Sequence, residues 1–168
     1  MPKIIANLEN RLIEEARKQV CESGYSAVTI RSVAAACGVG VGTVYNYFPS
    51  KDALLATYML LDWKDCVEEI SRVSNAADHP QVVLQCMYEQ LHGFSRKHQA
   101  IFQDSTAAAG FAGSFSQYHK RLRSQLAQPL EKFCPDPFRA EFLAEALLTW
   151  TMDGKSFQSI YGILEKLF

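Results

Sequence analysis

The chain has 168 residues, 48% of them hydrophobic, with 17 basic against 18 acidic side chains and a formal net charge of −1. That length supports one sizeable core or a small module joined to a larger one, and the near-neutral balance excludes a globally basic field, so any nucleic-acid contact must come from a local patch. Five cysteines, at 21, 37, 66, 86 and 134, form no CxxC or zinc spacing, which excludes a disulfide framework and points to reduced thiols in a cytoplasmic protein.

The start, "MPKIIANLENRLIEEARKQV", carries acids early and no uninterrupted apolar run, so no signal peptide is expected. No stretch approaches the length of a membrane span. Leu8, Leu12, Ile13, Ala16 and Val20 recur at intervals of three or four and predict a first helix that Gly24 stops. Thr29 stands as an N-cap, and "IRSVAAAC" gives a short second helix with Ile30, Val33, Ala34 and Cys37 inward, ended by Gly38. A third, "GTVYNYF", ends before Pro49. Ser50 then caps a long fourth helix to about Ile70, with Leu54, Leu55, Tyr58, Leu61, Cys66 and Ile70 inward.

Further helices are expected at about 80–97, 99–109, 114–133 and 137–152, with a last stretch from about 155. "STAAAGFAGS" reads as a helix end and a turn, and Gly154 either breaks the penultimate helix or passes through it. No alternating pattern persists over a strand length, so the fold class is all-α.

The stretch "ACGVGVGTVYNYFPSK", 36–51, raises the question of a phosphate-binding loop. A nucleotide loop needs a strand before its glycines and, for a P-loop, Gly-Lys-Ser/Thr after them. Here an amphipathic helix precedes the glycines and the spacing is GxGxG. Two short helices joined by a glycine-containing turn instead match a helix-turn-helix, whose second helix enters the major groove. No acid lies between Glu22 and Asp52, while Arg31 and Lys51 supply positive charge, and Tyr45 and Tyr47 project away from the inward pair Val44 and Phe48.

The pattern "LIEEARKQVCESGYSAVTIRSVAAACGVGVGTVYNYFPSKDALL", Leu12 to Leu55, resembles the TetR family of bacterial transcriptional regulators. The resemblance rests on Ala16, Gly24, Thr29, Ile30, Val33, Ala34, Gly38, Val39, Gly42, Tyr45, Phe48, Lys51 and Leu54, and beyond the N-terminal third it is one of layout. It implies an N-terminal helix-turn-helix DNA-binding domain over 1–49 and a helical ligand-binding and dimerisation domain over 50–168, joined through the fourth helix. It also implies that Thr29 and Thr43 bond phosphates, that Tyr45, Tyr47 and Lys51 contact the backbone, and that Val41, Gly42 and Asn46 lie within reach of base edges, Tyr45 among them. Two departures stand out: Val41 replaces a commonly polar residue, and Ser32 replaces an acid, at the expected cost of a cap interaction.

Toward the C-terminus, Trp63, Cys66, Met87, Leu91, Phe94, Phe102, Phe111, Phe115 and Tyr118 are candidates to line a pocket for a small apolar or aromatic ligand. Phe138, Phe142, Ala146 and Trp150 recur every fourth residue, and Phe157, Ile160, Tyr161 and Leu164 continue the apolar pattern. By the resemblance these helices pair across a two-fold axis in a homodimer, spacing two recognition helices about 34–36 Å apart on a palindromic operator. The end in "EKLF" suggests one helix fewer than usual.

Lys120, Arg121 and Arg123 read as a solvated face, and His92, His98 and His119 as isolated residues without a metal or catalytic role. The function expected is that of a repressor binding double-stranded DNA and released by a ligand, with no cofactor. A ligand-independent DNA-binding or architectural protein is the alternative. An enzyme is a further one, which no Ser/His/Asp, paired-carboxylate or metal constellation supports.

Overall fold

A computed structural model describes residues 7–107, 115–134 and 136–168, with the side chains at 115–117 excepted. Every regular element among the described residues is helical, as expected. In chain order they are α1 (Leu8–Ser23), a 3-10 turn (Tyr25–Ala27), α2 (Ile30–Ala36), α3 (Val41–Tyr45), α4 (Lys51–Ala76), α5 (Pro80–Lys97), α6 (Gln99–Phe102), α7 (Phe115–Ala127), a 3-10 turn (Gln128–Phe133), α8 (Pro137–Met152), α9 (Phe157–Leu164) and a 3-10 turn (Glu165–Leu167).

Packing groups the described residues into two units, one of 7–62 and 98–107, the other of Trp63–Lys97 and the residues from 115 onward. The boundary expected at 49/50 follows the chain. Packing places the change inside α4, after Asp62, and returns residues 98–107 to the first unit.

In that unit Leu8, Leu12, Ile13, Ala16 and Val20 bury the inner face of α1. Full burial of an aliphatic side chain of this size contributes about 1.5–3 kcal/mol. Gly24, at φ 80°, ends the helix while its N–H donates to the Val20 carbonyl at 2.9 Å. Thr29 is extended and opens α2 by accepting the Ser32 N–H at 3.0 Å, and the Ser32 hydroxyl accepts the Thr29 N–H at 3.1 Å. Ser32 therefore completes a capping box rather than costing a cap interaction, because a hydroxyl reaches the backbone as an acid would. Gly38, at φ 68°, closes α2 in a Schellman turn in which Val39 donates to Ala34 and Gly38 to Ala35. From α1, Arg11 donates to the Cys37 carbonyl at 3.0 Å.

The second unit packs Ile70, Leu84, Met87, Leu91, Leu126, Leu130, Leu143 and Leu147 into its core. Trp63 Nε1 donates to Gln125 Oε1 at 2.8 Å, and Ser74 Oγ donates to the Pro129 carbonyl at 2.8 Å. The helix expected to 133 stops at Ala127 and tightens into a 3-10 turn where Pro129 lacks an N–H. Asp136 caps α8, accepting the Phe138 N–H at 3.0 Å. Gly154, at φ 78°, breaks the chain between α8 and α9, and Ser156 caps α9.

Some expectations fail here for identifiable reasons. Leu61 is exposed although the 3.6-residue period sets it about 20° from the buried Leu54, because the inward face of α4 changes from that of Leu54 and Tyr58 to that of Trp63, Cys66 and Ile70 where the helix leaves the first unit. The helix expected over 99–109 is interrupted after Phe102, where α6 ends, and residues 105–107 are helical again, with 108 and 109 outside the described residues. Cys37, Cys66, Cys86 and Cys134 are buried and Cys21 is exposed, with no disulfide among them. Burial pushes the thiols of Cys37 and Cys134 upward and that of Cys86 up to about 11, which disfavours the reactive thiolate.

Candidate nucleic-acid interface

Helix α3 has five residues and is anchored through Val44, which is fully buried, with Phe48 buried beyond it. Val41 and Tyr45 of the helix and Tyr47 just beyond it face outward, 37%, 52% and 39% exposed. Large apolar or aromatic side chains on so small an element are unusual unless something covers them. The helix is shorter than "GTVYNYF", so Asn46 and Tyr47 lie in the turn after it, both exposed.

Thr29, Arg31, Val41, Tyr45 and Lys51 come together along one open groove of about 550 Å³, with Ser26, Val28, Ile30, Pro49 and Ser50 completing its walls. Gly42, Thr43, Asn46 and Tyr47 lie outside that groove on α3 and its following turn. A Cβ built at Gly42 meets nothing within 4 Å and the residue has no positive φ, so the chain itself does not require glycine there. Close approach by another molecule is a reason the fold does not supply.

Lys51 is half-buried rather than extended into solvent. Its ammonium donates to the Tyr25 carbonyl at 3.1 Å and sits 3.9 Å from the centre of the Tyr25 ring. The Tyr25 hydroxyl donates to the Asp52 carboxylate, and burial together with that contact pushes the phenol above its ordinary value. The cation is thereby fixed at the groove wall.

Two features escaped sequence reasoning. Ser26 Oγ donates to Asp104 Oδ2 at 2.6 Å, and Asp104 also accepts the N–H groups of Thr106 at 2.8 Å and Ala107 at 3.2 Å. Hydrogen bonds from Ser26 and Thr106 hold that carboxyl far below the usual range. The acid-free stretch of sequence thus has an acid beside it in space. His98, read as isolated, is fully buried, with Nε2 2.9 Å from Asp62 Oδ2 and its ring 4.6 Å from that of Tyr58. The short run Asp104-Ser105-Thr106 is a recognisable Asx turn, but nothing local pairs it with Ser26.

Of the candidate ligand-pocket residues, Trp63, Cys66, Met87 and Leu91 are core of the second unit, and Phe94 is partly buried, edge-on to Trp63 at 5.5 Å. Tyr118 is exposed in that unit, and Phe102 is exposed in the first unit, beside His98. Phe111 and the Phe115 side chain lie outside the described residues. A separate open groove of about 500 Å³ is lined by Tyr88, Glu89, His92, Gly93, Arg96 and Lys97, with the Tyr88 and His92 rings stacked at 5.8 Å.

The candidate pairing residues also divide. Phe138, Phe142 and Trp150 are 70%, 50% and 49% exposed on α8, whereas Ala146 and Tyr161 are partly buried. Phe157, Ile160 and Leu164 are buried in the unit's own core, so the inward stripe of α9 is spent on the chain itself and cannot meet a partner. Ile163 and Phe168 are the exposed apolar residues at that end. The run Lys120, Arg121 and Arg123 is not wholly solvated, since Arg123 reaches Glu141 and Glu145 of α8.

Residues 12–58 match the family model for bacterial regulatory proteins of the tetR family. Among curated proteins, the HTH-type transcriptional repressor KstR of Mycolicibacterium smegmatis is 29% identical over 125 residues, covering 71% of this chain and 61% of that protein. The HTH-type transcriptional regulator YuxN of Bacillus subtilis is 29% identical over 124 residues, covering 71% of this chain and 42% of that protein. The chain thus spans 42% to 61% of the length of these relatives. A transcriptional regulator from Cytophaga hutchinsonii superposes with a TM-score of 0.67 at 19% identity, over 95% of this chain and 92% of that one. AlkX, a TetR family repressor from Dietzia sp. implicated in biodegradation of n-alkanes, does so with 0.64 at 17% identity, over 94% and 93%. At such identities the superpositions speak for the fold. Residues 12–58 thus match the helix-turn-helix of the tetR family of bacterial regulatory proteins, and the described chain shares its helical architecture with regulators of known structure.

Proposed function

We propose that the chain is a cytoplasmic transcriptional repressor that binds a palindromic operator as a homodimer and is released by a small apolar or aromatic ligand. The observation that carries the DNA-binding reading is the outward set on and around α3: Val41, Gly42, Tyr45, Asn46 and Tyr47 are all exposed beside a groove holding Thr29, Arg31 and Lys51. Thr29 and Thr43 bond phosphates, Lys51 and the tyrosines hold the backbone, and Asn46 and Val41 read base edges, Asn by the pattern of adenine and Val by the thymine methyl group. Residues 1–49 act as the reading domain and 50–168 as the responding one. The named repressors among the relatives support the sign of regulation.

The homodimer reading is supported by Phe138, Phe142 and Trp150, which α8 leaves exposed. Ligand binding among the C-terminal helices shifts α4 and with it the spacing of two reading units, provided the ligand prefers the spacing that does not fit DNA. Titrating the protein onto its own promoter region at several salt concentrations tests the first step. Absence of salt-dependent binding refutes it.

A ligand-independent DNA-binding protein is the second reading, favoured by the packing of Trp63, Cys66, Met87 and Leu91 as filled core. A compound screen read by thermal shift separates the two, because a ligand of the native state raises the melting temperature.

A further inference from the structure

We infer that Ser26 is a further phosphate-binding residue of the groove and that Asp104 is its rival within the chain: the carboxylate takes the hydroxyl that a DNA phosphate would otherwise receive, and so limits how tightly the groove holds the DNA backbone. The inference rests on the DNA-binding reading above and adds what sets the strength of that binding.

Ser26 stands in the turn between α1 and α2, on the groove wall that also holds Thr29, Arg31 and Lys51. A serine hydroxyl carries one proton to give. Here it goes to Asp104 Oδ2 at 2.6 Å, with the Thr106 hydroxyl 3.2 Å away. A carboxylate oxygen is an anionic acceptor as a phosphate oxygen is, and serine and threonine hydroxyls are common phosphate donors. Asp104 therefore occupies the place that a phosphate would take.

The fold does not require this second oxygen. Asp104 Oδ1 accepts the N–H groups of Thr106 at 2.8 Å and Ala107 at 3.2 Å together with the Thr106 hydroxyl, so the turn keeps its own bonds when Ser26 leaves. An asparagine makes such a turn equally well. Ile101 and Ala107, buried in the core of the first unit, dock the segment around the turn. What aspartate adds is the Oδ2 atom facing Ser26, and its charge.

That charge reaches the groove. No acid lies between Glu22 and Asp52 in the sequence, and Asp104 restores one in space from 78 positions away. Burial and the Asp52 contact push the Tyr25 phenol upward, and the charge of Asp104 adds to the push. Tyr25 is the ring on which Lys51 rests. A phosphate approaching this wall meets a carboxylate close to the fixed cation, and like charges oppose the approach. Because phosphate contacts carry no sequence information, the acid lowers the hold on matched and unmatched DNA alike and leaves base contacts a larger share of the whole.

Asp104→Asn isolates the effect. One amide oxygen remains for the turn, whereas the amide nitrogen set toward Ser26 is a donor and cannot receive its proton. The test is fluorescence anisotropy of the full chain with its own promoter region and with an unrelated duplex of equal length, over a salt series, at temperatures where denaturant titration shows each variant folded. Asp104→Asn is expected to tighten binding to both duplexes by about 3- to 10-fold and to steepen the slope of log affinity against log salt by up to about one. Loss of fold weakens binding, so a gain has no merely structural source. Ser26→Ala is expected to weaken binding in both backgrounds, and about 3-fold more when combined with Asp104→Asn than alone. An Asp104→Asn affinity that is lower than wild type or within about 2-fold of it overturns this inference alone, as does an equal effect of Ser26→Ala in the two backgrounds. A wild-type chain with no salt-dependent binding to either duplex overturns the DNA-binding reading and this inference with it.

Discussion

Lys51 lays its ammonium 3.9 Å from the centre of the Tyr25 ring while donating to the carbonyl oxygen of the same residue at 3.1 Å. The first residue of α4 is thus tied to the turn that follows α1, and the cation keeps its place at the groove wall before any ligand arrives. Fixing a long side chain in advance lowers the entropy lost when it meets a phosphate.

We predict that Lys51→Ala weakens binding to all DNA sequences and lowers the slope of log affinity against log salt by about one. Tyr25→Phe keeps the ring and the carbonyl and removes only the hydroxyl given to Asp52. It is expected to cost about 1–3 kcal/mol of stability with the salt slope unchanged. Salt-dependent fluorescence anisotropy and denaturant titration check the pair; a salt slope unaltered in Lys51→Ala refutes the assignment.

Gly42 separates folding from binding. Because a Cβ there has open space and the backbone is ordinary helix, Gly42→Ala is expected to leave stability unchanged or raise it by up to about 1 kcal/mol. Operator affinity is expected to fall, because the added methyl group stands between backbone and duplex. If the variant binds as tightly as the wild type, the reading of Gly42 as a contact point fails.

Asn46 is exposed in the turn after α3, and among the described residues its side chain makes no hydrogen bond, only its backbone N–H capping the helix. Replacing it by Ala should alter sequence preference at one position of each half-site, by about 1–3 kcal/mol, while leaving the salt slope intact. Binding selections from a randomised operator library measure this. Identical preferred sequences for both proteins would sink the proposal.

Asp104 gives the fold a dependence on acid. Its carboxyl is held below the ordinary range in the folded chain, through bonds from Ser26 and Thr106. The stabilisation it gives is therefore present above the unfolded value, near 4, and is lost as pH falls through the folded value. Asp104→Ala should lower the melting temperature at pH 7, and the gap to wild type should close progressively on acidification below about pH 4. Equal melting temperatures at neutral pH would show that the bonds to Ser26 and the 105–107 turn contribute nothing.

Much of the reading unit is legible in the order of residues. Leu8, Leu12, Ile13, Ala16 and Val20 announce α1, Thr29 and Gly38 mark the ends of α2, and Pro49 marks the approach to α4. Each of these signals acts over a few residues, through helical period, a cap or a fixed φ. The exposure of Tyr45 and Tyr47 follows from the burial of Val44 and Phe48 by the same period. At Ser32 reach rather than charge decides the cap: the hydroxyl completes the capping box and also donates to Gln19 at 2.6 Å.

The partners that lie far apart in the chain were not legible. Ser26 and Asp104 are separated by 78 positions, and His119 and Glu145 by 26. Their pairing depends on which helix faces which. The same limit explains the division of the apolar stripes. Periodicity marks Phe138 and Phe157 equally as apolar positions, yet Phe138 stands in solvent and Phe157 is buried.

By itself, then, the sequence determined the helices of the first unit as far as α4, the caps at Thr29 and Gly38, and the outward side chains around α3, because those depend on short-range sterics and the helical period. Tertiary structure decided that Lys51 rests on Tyr25, that Asp104 stands beside the groove, that residues 98–107 belong with the first unit, and that α8 rather than the inward stripe of α9 remains uncovered. Apolar burial is non-directional, so a stripe records that a face will be covered, and only the packed chain fixes what covers it.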